Sequence, residues 1–381
     1  MRIVGTNHGG YANERNITHL PFRQYRVVRC RNLYRGPNYL YFKLKGKMHP
    51  TWPYLHWDGG LANYDLLHLF NGISLGKKPW LSTFETYLPR WAAYGAGRIE
   101  WGLEKMASVP CKRLIALSAC TRSIQSQFLA DYPQFSEEIM AKVSVLHPPQ
   151  AALISDQDLL SKENERQKSG RLKLVFVGAD FFRKGGMETL QMANHLLSKG
   201  FPLYLDIVSA MNFGDYASQT TQSDLDAALA IVGRYPQAIT LHKHLPNRNV
   251  LELLRKADIG LLPTWADTYG YSVLEAMASG CPVVSTDIRA LPEINGPATG
   301  WLIPTEKDSW GNALLATEMQ RKSFSKHLEE RLVETFEEIF NDPQQILPKS
   351  QAALAHIRSQ HNPVDAAATL EGWYDQVKSD K

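Results

Sequence analysis

Between residues 259 and 285 the chain passes from an apolar run through a loop and a helix-periodic run to a second apolar run, and this order limits the folds open to it. The run at 259–263 is short and apolar, which predicts a buried strand. A helical pattern begins near Ser272, and Gly280 and Pro282 end it. Strand, loop, helix and strand in this order predict a parallel α/β unit, in which ligands bind at the carboxyl ends of the strands.

Two carboxylates, Asp267 and Glu275, frame this loop and helix, with seven residues between them. Gly270 lies between the two and lets the backbone come close to a ligand. The first amides of a helix that begins near Ser272 lack helical partners and carry the positive end of the helix dipole, which suits a pyrophosphate. Carboxylates accept hydrogen bonds, so these two suit sugar hydroxyls. Together the groups predict a site for a nucleotide sugar.

This segment resembles the signature of retaining GT-B glycosyltransferases, in particular the group-1 family GT4. That signature is an acidic pair with seven intervening residues followed by E-A-M-A-x-G-x-P-V-V, and here it reads Asp267 and then Glu275 to Val284. The first acidic residue is usually Glu in the family, and Asp267 is shorter by one methylene. The resemblance implies that Glu275 holds the ribose and Asp267 the donor sugar. It implies that the donor site also includes Thr268, Tyr269, Gly270, Tyr271 and Ser272.

A second motif lies upstream, where the apolar run 172–178 predicts a strand that ends in Gly178 and precedes a basic, Gly-rich loop and a helix. It resembles the F-V-G…R-K-G motif of the same family, in which Arg and Lys hold the donor phosphates. The resemblance implies that Gly178, Arg183 and Lys184 bind the donor. It also implies that Arg183, Lys184 and the two carboxylates of the signature are the catalytic residues. The spacings of a P-loop and of G-x-G-x-x-G are absent.

The first part of the chain resembles the family less closely and holds the candidate acceptor residues. Gly9 and Gly10 follow the first predicted strand, in a loop that faces the cleft in GT-B proteins. His68 and Glu85 lie near the ends of two further predicted strands, and Arg122 opens a helix. Many relatives carry His at the position of Glu85. An ordinary turn at the two glycines and a polar strand end at Glu85 are the alternative interpretations.

Strands that alternate with helices predict an α/β fold with parallel sheets. The resemblance implies the GT-B fold, two Rossmann-like parallel-sheet domains that face each other across a cleft. We expect an acceptor-binding domain at 1–160, a nucleotide-sugar-binding domain at 170–345 and, at 150–170, a polar linker with a short helix. A C-terminal helix within 350–381 is expected to cross back to the first domain.

The composition, 44% hydrophobic and 21% charged, is that of a soluble globular protein. No run approaches eighteen apolar residues, and the polar N-terminus does not predict a signal peptide. Four scattered cysteines favour reduced thiols and therefore a cytoplasmic location: Cys30, Cys111, Cys120 and Cys281. We expect no cofactor and no metal ion, because Arg and Lys replace the metal in the resemblance.

The N-terminal segment is strongly basic. Residues 1–47 hold ten Lys and Arg and one Glu, a balance of +9 in a chain whose net charge is +4. Tyr and Phe residues are interleaved with these charges. Three interpretations are open. The segment is a solvated face whose aromatic side chains pack inward, or it binds an anionic membrane surface beside a lipid-linked acceptor, or it binds nucleic acid. The sequence hypothesis keeps the peripheral membrane contact and excludes nucleic acid.

These features predict a metal-independent glycosyltransferase that moves a sugar from a nucleotide sugar to an acceptor with retention of anomeric configuration. The acceptor is a glycan, a lipid-linked glycan or a small molecule. Catalysis would come from stabilising the charge that develops on the departing nucleoside diphosphate. Two alternatives remain open, a sugar-nucleotide epimerase of similar fold and a protein that binds the donor without transferring it.

Overall fold

A computed structural model of the 381-residue chain describes residues 1–7, 10–61, 63–95, 97–214 and 217–379, the last two as backbone only. The chain forms two compact units. Unit 1 consists of Met1–Pro149 together with His361–Lys381, and unit 2 consists of Gln150–Gln360.

The strands are β1 (Arg2–Thr6), β2 (Tyr25–Arg29), β3 (Leu55–His56), β4 (Leu66–Phe70), β5 (Ile73–Ser74), β6 (Trp80–Phe84), β7 (Cys111–Ala116), β8 (Val143–Val145), β9 (Leu172–Val177), β10 (Leu203–Val208), β11 (Ile239–His242), β12 (Ile259–Leu262), β13 (Val283–Thr286) and β14 (Gly300–Ile303).

The helices are α1 (Tyr11–Asn13), α2 (Arg35–Lys45), α3 (Ile99–Ala107), α4 (Ala119–Leu129), α5 (Pro133–Ala141), α6 (Asp156–Ser169), α7 (Gly186–Ser198), α8 (Gln222–Arg234), α9 (Asn247–Lys256), α10 (Tyr271–Ala278), α11 (Leu291–Ile294), α12 (Glu318–Asn341), α13 (Ile346–Gln360) and α14 (Pro363–Ser379). A π-helical turn, Glu14–Thr18, continues α1, and 3₁₀ turns occur at Trp52–Tyr54, Arg90–Tyr94 and Pro343–Gln345.

Unit 1 is built on a parallel sheet with the order β2-β1-β4-β6-β7-β8, beside a small parallel pair of β3 and β5. Successive side chains of a strand point to opposite faces. Leu67 and Trp80 therefore pack with the helices on one face, and Leu66 and Leu81 pack on the other, where α14 supplies Leu370. Apolar side chains on both faces explain why the central strands read as continuous apolar runs.

Unit 2 contains a second parallel sheet, with the order β11-β10-β9-β12-β13-β14. Numbered within the unit, this is the 3-2-1-4-5-6 order of a Rossmann fold. The order reverses between β9 and β12, which are hydrogen-bonded neighbours. In such sheets ligands bind outside the carboxyl ends of the two strands at this switch point. The two predicted motifs follow β9 and β12.

The chain passes from unit 1 to unit 2 after Pro149 and returns after Gln360. The segment 150–170, interpreted as a linker with a short helix, contains α6, a helix of 14 residues. This helix begins at Asp156 with a capping box and packs on α13 within unit 2. Of the two C-terminal helices, α13 belongs to unit 2 and α14 to unit 1.

Helix α12 begins at Glu318, after a capping box formed by Thr317 and Gln320. Among the described residues, no helix is long and apolar enough to span a lipid bilayer.

Candidate functional site

Two loops meet at the switch point of unit 2, the loop after β9 and the loop after β12. The backbone N–H of Trp265 donates to the carbonyl oxygen of Arg183 at 2.9 Å. The Nη1 group of Arg183 donates to the carbonyl oxygen of Ala266 at 2.7 Å. These bonds hold the Arg-Lys motif against the loop that carries Asp267.

A glycine makes this close approach possible. Gly185 has φ of +81°, and a Cβ at this position would lie 2.0 Å from the carbonyl oxygen of Pro263. Both the left-handed backbone and the contact exclude a side chain. Gly178 serves a related purpose, because a Cβ there would lie 2.8 Å from Cγ of Lys184. The glycines of the motif therefore bring the Lys184 side chain across the end of β9.

Lys184 and Asp267 form an ion pair between the ammonium and Oδ2. Their side chains are 16% and 12% exposed. The other carboxylate oxygen of Asp267, Oδ1, accepts from the backbone N–H of Thr268 at 2.7 Å. Burial alone would raise the pKa of Asp267, but the charges of Lys184 and Arg183 outweigh it, so this pKa is lowered. Asp267 is therefore an anion that faces the motif cations.

Arg183 also forms an ion pair, with Asp180 of its own loop. The hydrogen bond from Arg183, helped by its charge, lowers the pKa of Asp180 despite partial burial. Two cations and two carboxylates thus alternate at the carboxyl ends of β9 and β12. The two cations suit a polyphosphate, and the two carboxylates suit a set of hydroxyls.

Helix α10 begins just after Asp267. Gly270 precedes the helix with φ of +92°, and a Cβ there would lie 2.6 Å from Cδ2 of Leu291. Tyr269 is buried, and its ring lies 5.6 Å from that of Tyr271, while Tyr271 and Ser272 are partly exposed. Backbone amides at this helix start carry the positive dipole end toward the loop.

Glu275 lies in the second turn of α10 and is 8% exposed. The predicted donor residues therefore come from two stretches: Gly178, Arg183 and Lys184 after β9, and the signature from Asp267 to Glu275 after β12.

Unit 1 also groups polar residues at the carboxyl edge of its sheet. Glu85 follows β6, and its backbone N–H donates to Oδ1 of Asn71 at 3.2 Å. The Thr121 hydroxyl at the start of α4 donates to the Glu85 carbonyl at 2.8 Å. Arg122 is exposed on the next position of α4. Gly10 directly precedes α1, and the predicted Gly9 lies outside the described residues.

His68 needs a correction, because it is fully buried in β4. Its Nδ1 lies 2.6 Å from the Tyr374 hydroxyl of α14, and its Nε2 lies 2.8 Å from the Thr83 hydroxyl. Burial lowers the pKa of His68 to about 3. The side chain points to the face of the sheet that α14 covers, so it cannot contact an acceptor. The sequence placed His68 near a strand end but did not reveal which face it takes.

Two further polar residues at this edge were missed. Asn13 donates from Nδ2 to the Thr6 hydroxyl at 3.3 Å and to Oδ1 of Asn7 at 3.3 Å. Asn7 in turn accepts from the backbone N–H of Phe70 at 3.4 Å, which links the ends of β1 and β4. The sequence signal that could have indicated these residues was an Asn next to the end of a predicted strand.

Two Asp-x-Asp pairs occur in the chain, and both lie at helix starts. Asp158 accepts from the backbone N–H of Ser155 at 2.7 Å, and Asp224 accepts from that of Thr221 at 2.7 Å, each within a capping box. Within the described ranges, no group of three or more His, Cys, Asp or Glu is arranged to hold a metal ion.

Solved structures of similar fold cover almost the whole chain. A UDP-forming α,α-trehalose-phosphate synthase from Burkholderia xenovorans aligns with a TM-score of 0.61 at 14% identity, over 99% of this chain and 100% of that one. HepE from Anabaena, in complex with UDP and glucose, aligns with a TM-score of 0.58 at 12% identity, over 99% and 100%. At such identities the likeness shows the fold. With its two Rossmann-like parallel-sheet units, the chain has the GT-B fold that the sequence predicted.

The family follows from sequence comparison of unit 2. Residues 171–317 match the model of the glycosyl transferases group 1 family, and this range contains both motifs. Glycogen synthase from Mycobacterium tuberculosis is 30% identical over 133 residues, which are 34% of this chain and 30% of that protein. The chain spans less than half the length of the curated relatives it matches. Residues 171–317 of unit 2 thus match a group-1 glycosyltransferase domain, and the predicted resemblance is confirmed.

Proposed function

We propose that the protein is a glycosyltransferase that transfers a sugar from a nucleotide-sugar donor to an acceptor, with retention of anomeric configuration. The observation that carries the proposal is the ion pair of Lys184 and Asp267 at the switch point of unit 2. It brings a cation from one family motif and a carboxylate from the other to the place where Rossmann folds bind ligands.

The donor would be held by charge and by hydrogen bonds. Arg183, Lys184 and the start of α10 suit a diphosphate. Asp267 suits the hydroxyls of the donor sugar, and Glu275 suits those of the ribose. Two proteins of the same fold support a uridine nucleotide, since one contains UDP and the other is named as UDP-forming.

The chemistry we propose is leaving-group stabilisation. As the glycosidic bond to the diphosphate breaks, negative charge grows on the phosphate oxygens, and Lys184 and Arg183 compensate it. The departing phosphate accepts the proton of the acceptor hydroxyl. The hydroxyl oxygen attacks the anomeric carbon from the face that the phosphate leaves, so the anomeric configuration is retained. The two cations take the part that a metal ion plays in other transferases, and no cofactor enters the reaction.

The acceptor would be a glycan, a lipid-linked glycan or a small molecule. Unit 1 offers Gly10, Glu85 and Arg122 at the carboxyl edge of its sheet for such a ligand. The basic segment 1–47 supports a peripheral contact with an anionic membrane on its cytoplasmic face.

A donor screen tests the proposal. Thermal unfolding with UDP, GDP, ADP and their sugars should identify one nucleotide, and a ligand at about 100 times its Kd should add about 2.7 kcal/mol to the free energy of unfolding. The selected donor is then incubated with candidate acceptors, and NMR reports the anomeric configuration of the product. An inverted product, or an epimerised donor without transfer, would refute the proposed reaction. Donor binding without hydrolysis or transfer to any acceptor would indicate a binding protein.

A further inference from the structure

Helix α2 exposes apolar side chains instead of burying them. Only Asn38 of this helix is buried, and Tyr39, Leu40, Phe42 and Leu44 are 46–73% exposed. Over the described residues, seven of the sixteen exposed large apolar side chains lie between residues 39 and 61. A helix of a water-soluble domain normally turns such side chains to the core. The concentration of exposed apolar surface here marks an interaction face.

Several of the exposed side chains lie near one another on or beside α2. Leu40 and Leu44 are one turn apart and therefore share a side of α2. Met48 follows just after the helix and is 57% exposed. The Trp57 carbonyl accepts from the backbone N–H of Leu33 at 2.8 Å, which holds the loop with the exposed Trp57 beside the start of α2.

The same surface is basic, and its charges are not compensated within unit 1. No Asp or Glu occurs between residues 15 and 57. Among the described residues, no ion pair involves the basic side chains of this surface, which are Arg31, Arg35, Lys43, Lys45 and Lys47. By contrast, Arg2 pairs with Asp375, and Arg29 pairs with Glu14. Arg2 and Arg29 are thus paired within unit 1, whereas the five basic side chains around α2 are exposed.

We propose that α2 and its flanking residues, from 31 to 61, dock on an anionic lipid bilayer. Leu40, Leu44 and Met48 enter the interfacial region, and the lysines of the helix contact the lipid headgroups. A second copy of the chain is disfavoured as the partner of this surface, because the two facing surfaces would carry the same charge and repel each other. The inference rests on the proposed membrane contact of residues 1–47 and confines it to this surface.

Vesicle sedimentation of the full chain tests the proposal. The protein should sediment with vesicles of phosphatidylglycerol and phosphatidylcholine, and should stay in solution with phosphatidylcholine alone. Binding should fall steeply between about 0.1 M and about 1 M salt, where the Debye length shortens from about 10 Å to about 3 Å. Equal binding to both vesicle types, or preference for a DNA or RNA duplex over anionic vesicles, would overturn the proposal.

Two variants distinguish the contribution of the lysine charges to vesicle binding from that of inserting the apolar side chains. Replacing Lys43, Lys45 and Lys47 by Gln should weaken anionic-vesicle binding roughly 100-fold, since three headgroup contacts are lost. The substitutions Leu40→Asp and Leu44→Asp together should weaken it more than 10-fold, because a carboxylate opposes both insertion and anionic lipid. Wild-type affinity in either variant would overturn the corresponding part of the proposal.

Matched controls lie elsewhere on the surface. Replacing the exposed Lys256, Lys322 and Lys326 of unit 2 by Gln removes the same charge. Val109→Asp with Met319→Asp changes two side chains that are 80% and 78% exposed. Both controls should bind vesicles as the wild type does, and a loss as large as that of the α2 variants would overturn the assignment to this surface. Donor-induced thermal shifts, measured without lipid, test the transferase proposal separately.

Discussion

Lys184 is the residue whose change should most directly report on leaving-group stabilisation. Its ammonium pairs with Asp267, and its side chain crosses the end of β9 beside Gly178. We expect Lys184→Ala to lower kcat about 100- to 1,000-fold, the range found when one transition-state donor is removed. Steady-state kinetics at saturating donor provide the measurement. Turnover near that of the wild type would show that Lys184 does not stabilise the leaving group.

A control for this prediction lies on the same helix-loop unit. Lys199 follows α7, is half exposed and pairs with Glu337 at 2.9 Å. Lys199→Ala makes the same chemical change far from the switch point and should leave kcat unchanged. Urea unfolding of both variants distinguishes a lost contact from a lost fold, because the Lys184 variant leaves Asp267 without its cation.

Glu275 offers a second prediction at this scale. Glu275→Gln keeps the shape of the side chain and removes the charge, so a hydrogen bond from a ribose hydroxyl is weakened rather than blocked. A hydrogen bond to a charged group contributes about 1.5–3 kcal/mol and one to a neutral group about 0.5–1.5 kcal/mol, so the substitution should lower kcat/KM about 10-fold. Glu252→Gln on the exposed face of α9 serves as the control. An unchanged kcat/KM would remove Glu275 from the donor site.

Contacts between elements set a pH dependence of stability. His68 of β4 is buried between the hydroxyls of Tyr374 and Thr83, with its pKa lowered to about 3 from an ordinary value of 6.5. Between these values the unfolded chain binds a proton that the folded chain does not. The contribution of His68 to the free energy of unfolding is therefore complete above pH 6.5. As the pH falls between the two pKa values, this contribution decreases by about 1.4 kcal/mol per pH unit.

Urea unfolding at pH 7 and pH 5 measures this effect. We expect the wild type to lose about 2 kcal/mol more than His68→Gln over this interval, since Gln does not titrate there. His56 is also buried, with its pKa lowered to about 4, and it contributes equally to both proteins. The same loss in both would show that His68 does not carry the pH dependence.

The elements that the sequence predicted well are those with strong local signals. The apolar runs became β9, β12 and β13, and Gly280 and Pro282 ended α10 near the expected position, because burial and backbone restrictions act locally. The family motifs likewise came together at neighbouring strand ends. These features depend on short stretches of chain, so they can be predicted from the sequence.

Other elements depended on tertiary context. β2 has two valines between Arg26 and Arg29 at the sheet edge, and α2 has almost no buried side, so neither shows a clear amphipathic signal. The role of His68 depended on α14, which lies 306 residues from it at the Tyr374 contact. No periodicity within β4 could indicate which face a distant helix covers.

At the scale of the whole molecule, the reaction should not depend on a divalent metal. In the proposed reaction Arg183 and Lys184 supply the positive charge for the diphosphate, so excess EDTA should leave the initial rate of transfer unchanged. A thermal melt with EDTA checks that the chelator does not unfold the protein. Activity abolished by EDTA and restored by Mg²⁺ or Mn²⁺ would refute the proposed use of cations in place of a metal.

The position of α14 also bears on synthesis of the protein. Leu66, Leu81 and Ile115 lie on the sheet face that α14 covers, yet α14 follows all of unit 2 in the chain. At about 5–20 residues per second, a ribosome needs roughly 10–40 s to add residues 150–360. Throughout that interval the nascent first unit presents an uncovered apolar face, while unit 2, a continuous stretch, can fold as soon as it emerges. The first unit to be translated is therefore the last to be completed, and it is the part of the nascent protein that most needs protection by a chaperone.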